Sequence, residues 1–185
     1  VMGHFGAAWL ERESRSVEEN PELAVKLLNL KKNMIVADFG AGTGYFTSHL
    51  AEQCSLVFAV DIQPEMIELN KKNMKSKNLK NVQYILNTPK KTKLPINSVD
   101  LILLVDVYHE LEFPFEVLND MKKALKPNGL IVLLEFRAED PRVPIKPLHK
   151  MSVSQISKEM NFIGLELFRN IQKLPRQHML FFKQS

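Results

Sequence analysis

The sequence predicts a doubly wound α/β sheet, and three observations carry that prediction. Short apolar runs alternate along the chain with segments of helical spacing. Two of the runs, Val99–Val105 and Leu130–Phe136, are apolar at nearly every position. Strands of that kind sit in the middle of a parallel sheet with helices on both faces. The first run, Met34 to Phe39, ends in Gly40-Ala41-Gly42-Thr43-Gly44, and helical spacing resumes with Tyr45, Phe46, Leu50 and Ala51. Strand, glycine turn and helix make the first half of a nucleotide-binding βαβ unit. Its glycines let the backbone turn and approach a ligand, and the helix behind them aims free N–H groups at it.

In chain order, residues 1–20 hold Trp9, Leu10 and a charged stretch, and read as an N-terminal arm or lid. Asn20-Pro21-Glu22 starts a helix with a cap, a first-turn proline and an acid near the positive dipole end. Leu23, Leu27, Leu28 and Leu30 are its expected buried stripe. The first strand and glycine turn follow, then a second strand, Leu56 to Val60, ended by Asp61. Gln63-Pro64-Glu65 opens a helix carrying Met66, Ile67, Leu69 and Met74, and Val82–Leu86 is the third strand. A Lys-, Pro- and Asn-rich loop, 87–98, leads to the fourth strand, Val99–Val105. Pro114 opens a helix to Lys126, Pro127-Asn128-Gly129 is a turn, and Leu130–Phe136 is the fifth strand. The segment Arg137–Lys150, with prolines at 141, 144 and 147, is irregular and long enough to be functional. Ser152-Val153-Ser154-Gln155 reads as a capping box for the last helix. Leu165–Arg169 and His178–Phe182 are the final strands.

Length and composition fit one domain spanning 1–185. The chain is 45% hydrophobic and 25% charged, and no apolar run approaches a membrane span. The start Met2–Trp9 lacks the basic residues of a signal peptide, and the lone Cys54 suits a reducing, cytoplasmic compartment. Cys54 reads as a small apolar side chain closing a helix. The net charge of +4 is mild. Lys71, Lys72, Lys75, Lys77 and Lys80 crowd one helix end without interleaved aromatics, which describes a solvated face and not a nucleic-acid footprint.

The dinucleotide fingerprint G-x-G-x-x-G is not met, because the third glycine, Gly44, comes one place early. Asp38 precedes the glycines and Asp61 ends the second strand, where a carboxylate hydrogen-bonds ribose hydroxyls. Here the chain resembles the class I S-adenosylmethionine-dependent methyltransferases, whose first motif is D/E-x-G-x-G-x-G. More narrowly it is similar to the small type 11-like group. The likeness runs through residues 37–47, Ala59–Met66, Val105–Leu111 and Pro144–Met151, four blocks in order.

The resemblance implies a mostly parallel sheet of seven strands, the last antiparallel, with S-adenosyl-L-methionine in the crevice where strand order reverses. It implies that Gly40, Gly42 and Gly44 line the methionine and ribose portion and that Asp38 serves the amino group. Asp61 then takes the ribose hydroxyls, or is only a helix-start residue. Ile62 packs on adenine or belongs to the core. Relatives often carry an acid after the third strand for the adenine amino group; here that loop is Asn87-Thr88-Pro89-Lys90-Lys91, and Asn87 or Thr88 would have to substitute. Asp106 is expected near the sulfonium. Asp106-Val107-Tyr108-His109-Glu110 lacks the N/D-P-P-Y/F block of amino-group methylases. His109 is either a proton acceptor or a histidine packed at the strand end, and Tyr45 either covers the cofactor or packs.

No H-x₃-H or C-x₂-C pair announces a metal, and His4, His49, His109, His149 and His178 are scattered, so no metal and no Ser-His-Asp set are expected. The expected acceptor is a small molecule. Topology would gather Arg137, Lys146, His149, Arg176 and His178 at the cofactor's edge and favour an anionic acceptor. Alternatively these residues tie the long loop to the sheet through Glu135, Glu139 and Asp140. Two further readings are a non-catalytic cofactor-binding or scaffold protein and an NAD-dependent oxidoreductase, the latter disfavoured by the glycine spacing.

Overall fold

A computed structural model describes residues 15–185. The strands are β1 (Ile35–Phe39), β2 (Leu56–Asp61), β3 (Val82–Leu86), β4 (Val99–Val105), β5 (Leu125–Arg137), β6 (Lys150–Met151), β7 (Leu165–Ile171) and β8 (Gln177–Gln184). The helices are α1 (Arg15–Glu19), α2 (Pro21–Leu28), α3 (Tyr45–Ala51), α4 (Pro64–Ser76), α5 (Pro114–Ala124) and α6 (Val153–Phe162). The arm or lid expected over 1–20 falls mostly outside the described residues. Asn20 caps α2 as its sequence suggests, its side chain accepting the Leu23 amide at 3.1 Å. The stripe that α2 buries is Ala24, Val25 and Leu28, with Leu23, Leu27 and Leu30 only partly covered. Ser152 caps α6, accepting the Gln155 amide at 3.1 Å.

Strand order is β3-β2-β1-β4-β5-β8-β7, and the two-residue β6 pairs with the end of β5. The sheet is parallel except for β8, which runs antiparallel between β5 and β7. This is the expected doubly wound class with its last strand reversed. Alternation of side chains sorts the core into two layers. Ala37, Phe39, Ile102, Leu104, Ile131 and Leu133 face α5 and α6. Val36, Leu101, Leu103, Val132 and Leu134 face α2 and α3 on the other side. β5 differs from expectation by beginning at Leu125. The Pro127-Asn128-Gly129 turn is instead an irregularity within the strand, with Asn128 at φ 65° and a register shift between Val99 and Leu101.

Strand order reverses between β1 and β4, where the connections leave to opposite sides and open a crevice at the carboxyl edge. Among the described residues, no helix is long and apolar enough to cross a membrane.

Candidate active site

The glycine turn is pinned to the neighbouring strand. The amides of Gly40 and Ala41 both donate to the Val60 carbonyl, at 2.8 and 3.0 Å. The Gly42 amide donates to Asp61 Oδ2 at 2.8 Å, and the Gln63 amide to Asp61 Oδ1 at 2.9 Å. Asp61 therefore braces the loop with one oxygen and the start of α4 with the other. Burial pushes its carboxyl above the ordinary range, and the amides of Gln63, Gly42 and Ile62 work against that rise.

Asp38 is buried and accepts the Thr47 hydroxyl at 2.6 Å. Asn70 of α4 donates to that hydroxyl oxygen at 3.1 Å and to the Gly42 carbonyl at 3.4 Å, and Asn73 donates to the Thr43 carbonyl at 2.9 Å. Sequence reading missed Asn70 and Asn73, since α4 was read for its apolar positions alone. At Gly40, φ 77°, a β-carbon would lie 2.4 Å from Val107 Cγ2, so the turn packs on Val107, two residues past β4, only without a side chain of its own.

A cavity of about 560 Å³ opens above these strand ends. Of the residues expected to contact a cofactor, Asp38, Gly40, Gly42, Asp61, Ile62, Thr88 and Asp106 line it. Gly44 does not. At φ 95°, its missing β-carbon leaves room for Asn70, whose Oδ1 would lie 2.6 Å away, and for Met74. The third glycine thus serves the packing of α3 against α4.

Asp106 follows β4 at φ 54°, a left-handed conformation that a non-glycine residue adopts at a cost on the order of 1–3 kcal/mol. Its amide donates to the Leu134 carbonyl at 2.8 Å, and its Oδ2 accepts from Gln177 Nε2 at 2.7 Å. Gln177, fully buried at the start of β8, is a third residue that no motif announced. His109 also lines the cavity. Its Nδ1 lies 2.7 Å from Oε2 of the buried Glu135, whose Oε1 accepts the Tyr108 amide at 2.8 Å. Burial lowers the His109 pKa, but the hydrogen bond and charge of Glu135 and the charge of Glu110 outweigh it and carry the value upward.

The irregular segment does reach over the crevice: Pro144, Ile145, Lys146 and His149 line the cavity, as does Tyr45. The expected cationic cluster does not form there. Arg137 donates Nε to Gln172 Oε1 at 2.8 Å, and its other nitrogens to the carbonyls of Pro175 and Leu174 at 3.0 and 2.6 Å, so it ties down the β7–β8 connection. Arg176 pairs with Glu18 at 3.4 Å. His178 is buried between Glu139 Oε2 at 2.9 Å, the Met151 carbonyl at 3.1 Å and Gln172 at 3.0 Å. None of the three lines the cavity, so of the five residues behind the anionic-acceptor expectation only Lys146 and His149 stand there.

Residues 30–182 match the protein family described as a methyltransferase domain. A demethylmenaquinone methyltransferase of Tropheryma whipplei is 30% identical over 128 residues, 69% of this chain and 52% of that protein. A malonyl-[acyl-carrier protein] O-methyltransferase of Halalkalibacterium halodurans is 31% identical over 140 residues, 73% of this chain and 46% of that protein. The chain thus spans about half the length of these curated relatives. A crystal structure of a SAM dependent methyltransferase from Aquifex aeolicus covers 100% of both chains with a TM-score of 0.92 at 24% identity, a likeness of fold. With the matched segment running from before β1 into β8, the chain belongs to the methyltransferase-domain family, in its class I doubly wound form.

Proposed function

We propose that this chain transfers a methyl group from S-adenosyl-L-methionine to a small-molecule acceptor. The observation that carries the reading is the cavity at the β1/β4 reversal, with the Gly40–Gly42 turn and both Asp38 and Asp61 in its wall. Its volume of about 560 Å³ lies in the range of small-molecule and cofactor sites.

In this reading Asp61 hydrogen-bonds the ribose hydroxyls while it braces Gly42, and Ile62 packs against the adenine. Asn87 and Thr88, both in the wall, serve the adenine edge in place of an acid. Asp38 and Asp106 face the amino-acid end. The bound cofactor supplies an activated methyl on a sulfonium; the protein supplies position, desolvation and charge. The acceptor side is formed by Tyr45, His109, Glu110, Lys146 and His149. With Glu135 accepting a hydrogen bond from the Nδ1–H of His109, the neutral ring presents its Nε2 lone pair on the other side. The relatives' names, a demethylmenaquinone methyltransferase and a malonyl-[acyl-carrier protein] O-methyltransferase, support an acceptor other than nucleic acid. The family match removes support from a nicotinamide oxidoreductase.

Calorimetric titration with S-adenosyl-L-methionine and, separately, with NAD tests the cofactor. Saturable binding of the sulfonium alone is expected, and binding of NAD alone would overturn the reading. Incubation of a metabolite extract with methyl-labelled cofactor then distinguishes an enzyme from a binding protein by the presence of a labelled product.

A further inference from the structure

His149 lies 40 residues from the adjacent pair His109 and Glu110, yet the fold brings one ligand atom from each of the three within 4.8 Å of the others. His109 and Glu110 belong to the short 3₁₀ turn Tyr108–Glu110 after β4, and His149 closes the 3₁₀ turn Pro147–His149 of the proline-rich segment. We propose that these three side chains form a binding site for a divalent first-row transition-metal cation of the zinc or iron(II) type, set in the acceptor wall of the cavity.

The spacing is that of a coordination edge. His109 Nε2 and His149 Nδ1 are 3.1 Å apart. Two imidazole nitrogens on one cation, each at about 2.0–2.1 Å, stand about 2.9–3.4 Å from each other. Without a cation, these two nitrogens can share a proton. With one, both nitrogens would serve as ligands, and the rings, which meet edge to face at 80°, bring them side by side. The Glu110 carboxylate, on the same short turn as His109, supplies the third ligand atom, within 4.8 Å of both nitrogens.

A second, independent observation is the support behind His109. A ligating histidine characteristically donates its far ring N–H to a carboxylate, which fixes the tautomer and points the lone pair at the metal. Glu135 does this to Nδ1 at 2.7 Å. It is fully buried and anchored through its other oxygen to the Tyr108 amide, so it cannot swing away to bind the cation itself. Two histidines and one carboxylate leave coordination positions open, as sites that bind a further oxygen ligand require. All three ligands line the cavity that holds Asp106 and Gly40, so the open positions face into it.

The site would take an acceptor through a hydroxyl or carboxylate oxygen. Coordination lowers the pKa of a bound hydroxyl, whose proton leaves to solvent, and holds the resulting oxygen in place. The cation site stands on the side chains alone; only its role toward an acceptor rests on the methyl-transfer reading.

The test uses the full chain without a histidine tag, stripped with a chelator and titrated with Zn²⁺ by calorimetry and with Co²⁺ by visible absorption. One equivalent of Zn²⁺ is expected, with a Co²⁺ spectrum of four- or five-coordinate character. His149→Ala, at an exposed position outside the sheet, should abolish both signals while the protein keeps its melting temperature. Glu135→Gln keeps an acceptor for the Tyr108 amide but turns an N–H toward His109 Nδ1, moving the ring proton to Nε2. It should weaken binding about 10- to 100-fold, as loss of a supporting carboxylate does. No binding by the parent, or binding unchanged in His149→Ala, would overturn the site. Titration of the same stripped protein with S-adenosyl-L-methionine tests the cofactor reading separately, so the two can fail independently.

Discussion

Asp61 at the end of β2 and Gly42 in the first turn are joined by a 2.8 Å hydrogen bond from the glycine amide to the carboxylate. One carboxylate thus sets the shape of the loop that it would share with a bound ribose. Replacing it removes both functions together. Asp61→Ala is expected to weaken S-adenosyl-L-methionine binding by about 1.5–3 kcal/mol, the worth of hydrogen bonds to a charged group. The chain should still fold, because burial disfavours this charge in the native state. Calorimetry on a variant shown folded by circular dichroism checks it; unchanged affinity would dismiss Asp61 as the ribose partner.

The first motif's glycines separate by mechanism. Gly42→Val should abolish cofactor binding, since Gly42 sits in the cavity wall at φ 53°, a conformation a β-branched residue resists. Gly44→Ala should instead lower stability by about 1–3 kcal/mol through the strained φ and the clash with Asn70, with cofactor affinity of the folded fraction nearly kept. Urea denaturation beside calorimetry reads both. Equal loss of affinity in the two variants would contradict the division.

Arg137→Gln tests the reassignment of the arginine. Three hydrogen bonds to the β7–β8 connection would be lost. A fall in stability of about 1–3 kcal/mol follows, with no change in affinity for small carboxylates or phosphates. An anion affinity that disappears in this variant would restore Arg137 to the acceptor site.

His178 contributes to the pH dependence of stability with a definite sign. Its pKa is lowered, first by burial and further by Arg137, against the raising influence of Glu139 and the Met151 carbonyl. Below the ordinary histidine value of 6.5, the unfolded chain takes up a proton that the folded ring resists, so stability falls as pH falls. His109, raised on balance, contributes with the opposite sign, so the measure is the difference between parent and His178→Gln. Melting temperatures between pH 7.5 and 5 should fall more steeply in the parent. Parallel curves would refute it.

Cys54 is buried, and its thiol is pushed up to about 11 by that burial. Alkylation by iodoacetamide at pH 7.5 should therefore require unfolding. Rates following urea-induced opening would agree, and fast labelling of the native chain would not.

Much of this was legible from residues alone, for a physical reason. Strands buried on both faces leave nearly unbroken apolar runs, and Val99–Val105 was readable to the residue. The place of Gly40, Gly42 and Asp61 in one turn was legible because a tight turn at positive φ restricts residue type locally. Gly44 belonged to the same motif, but its neighbour Asn70 lies on another helix, and spacing along the chain does not show which helix will cross it. The arginines failed for a related reason. Topology brought Arg137 to the correct edge, but its partners are backbone carbonyls, and every sequence has those. His109 and His149, 40 residues apart, meet only because a proline-rich segment folds back over β4.

The position of β8 between β5 and β7 has a consequence for synthesis. As the chain leaves the ribosome, β5 and β7 exist before the strand that must lie between them. Until Gln177–Gln184 emerges, β5 carries an open edge, and the backbone at Asp106 lacks the glutamine that holds its side chain. Completion of the sheet and setting of the crevice are then one late event, and a nascent chain arrested before residue 177 would be ready neither to bind a ligand nor to resist pairing with another such chain.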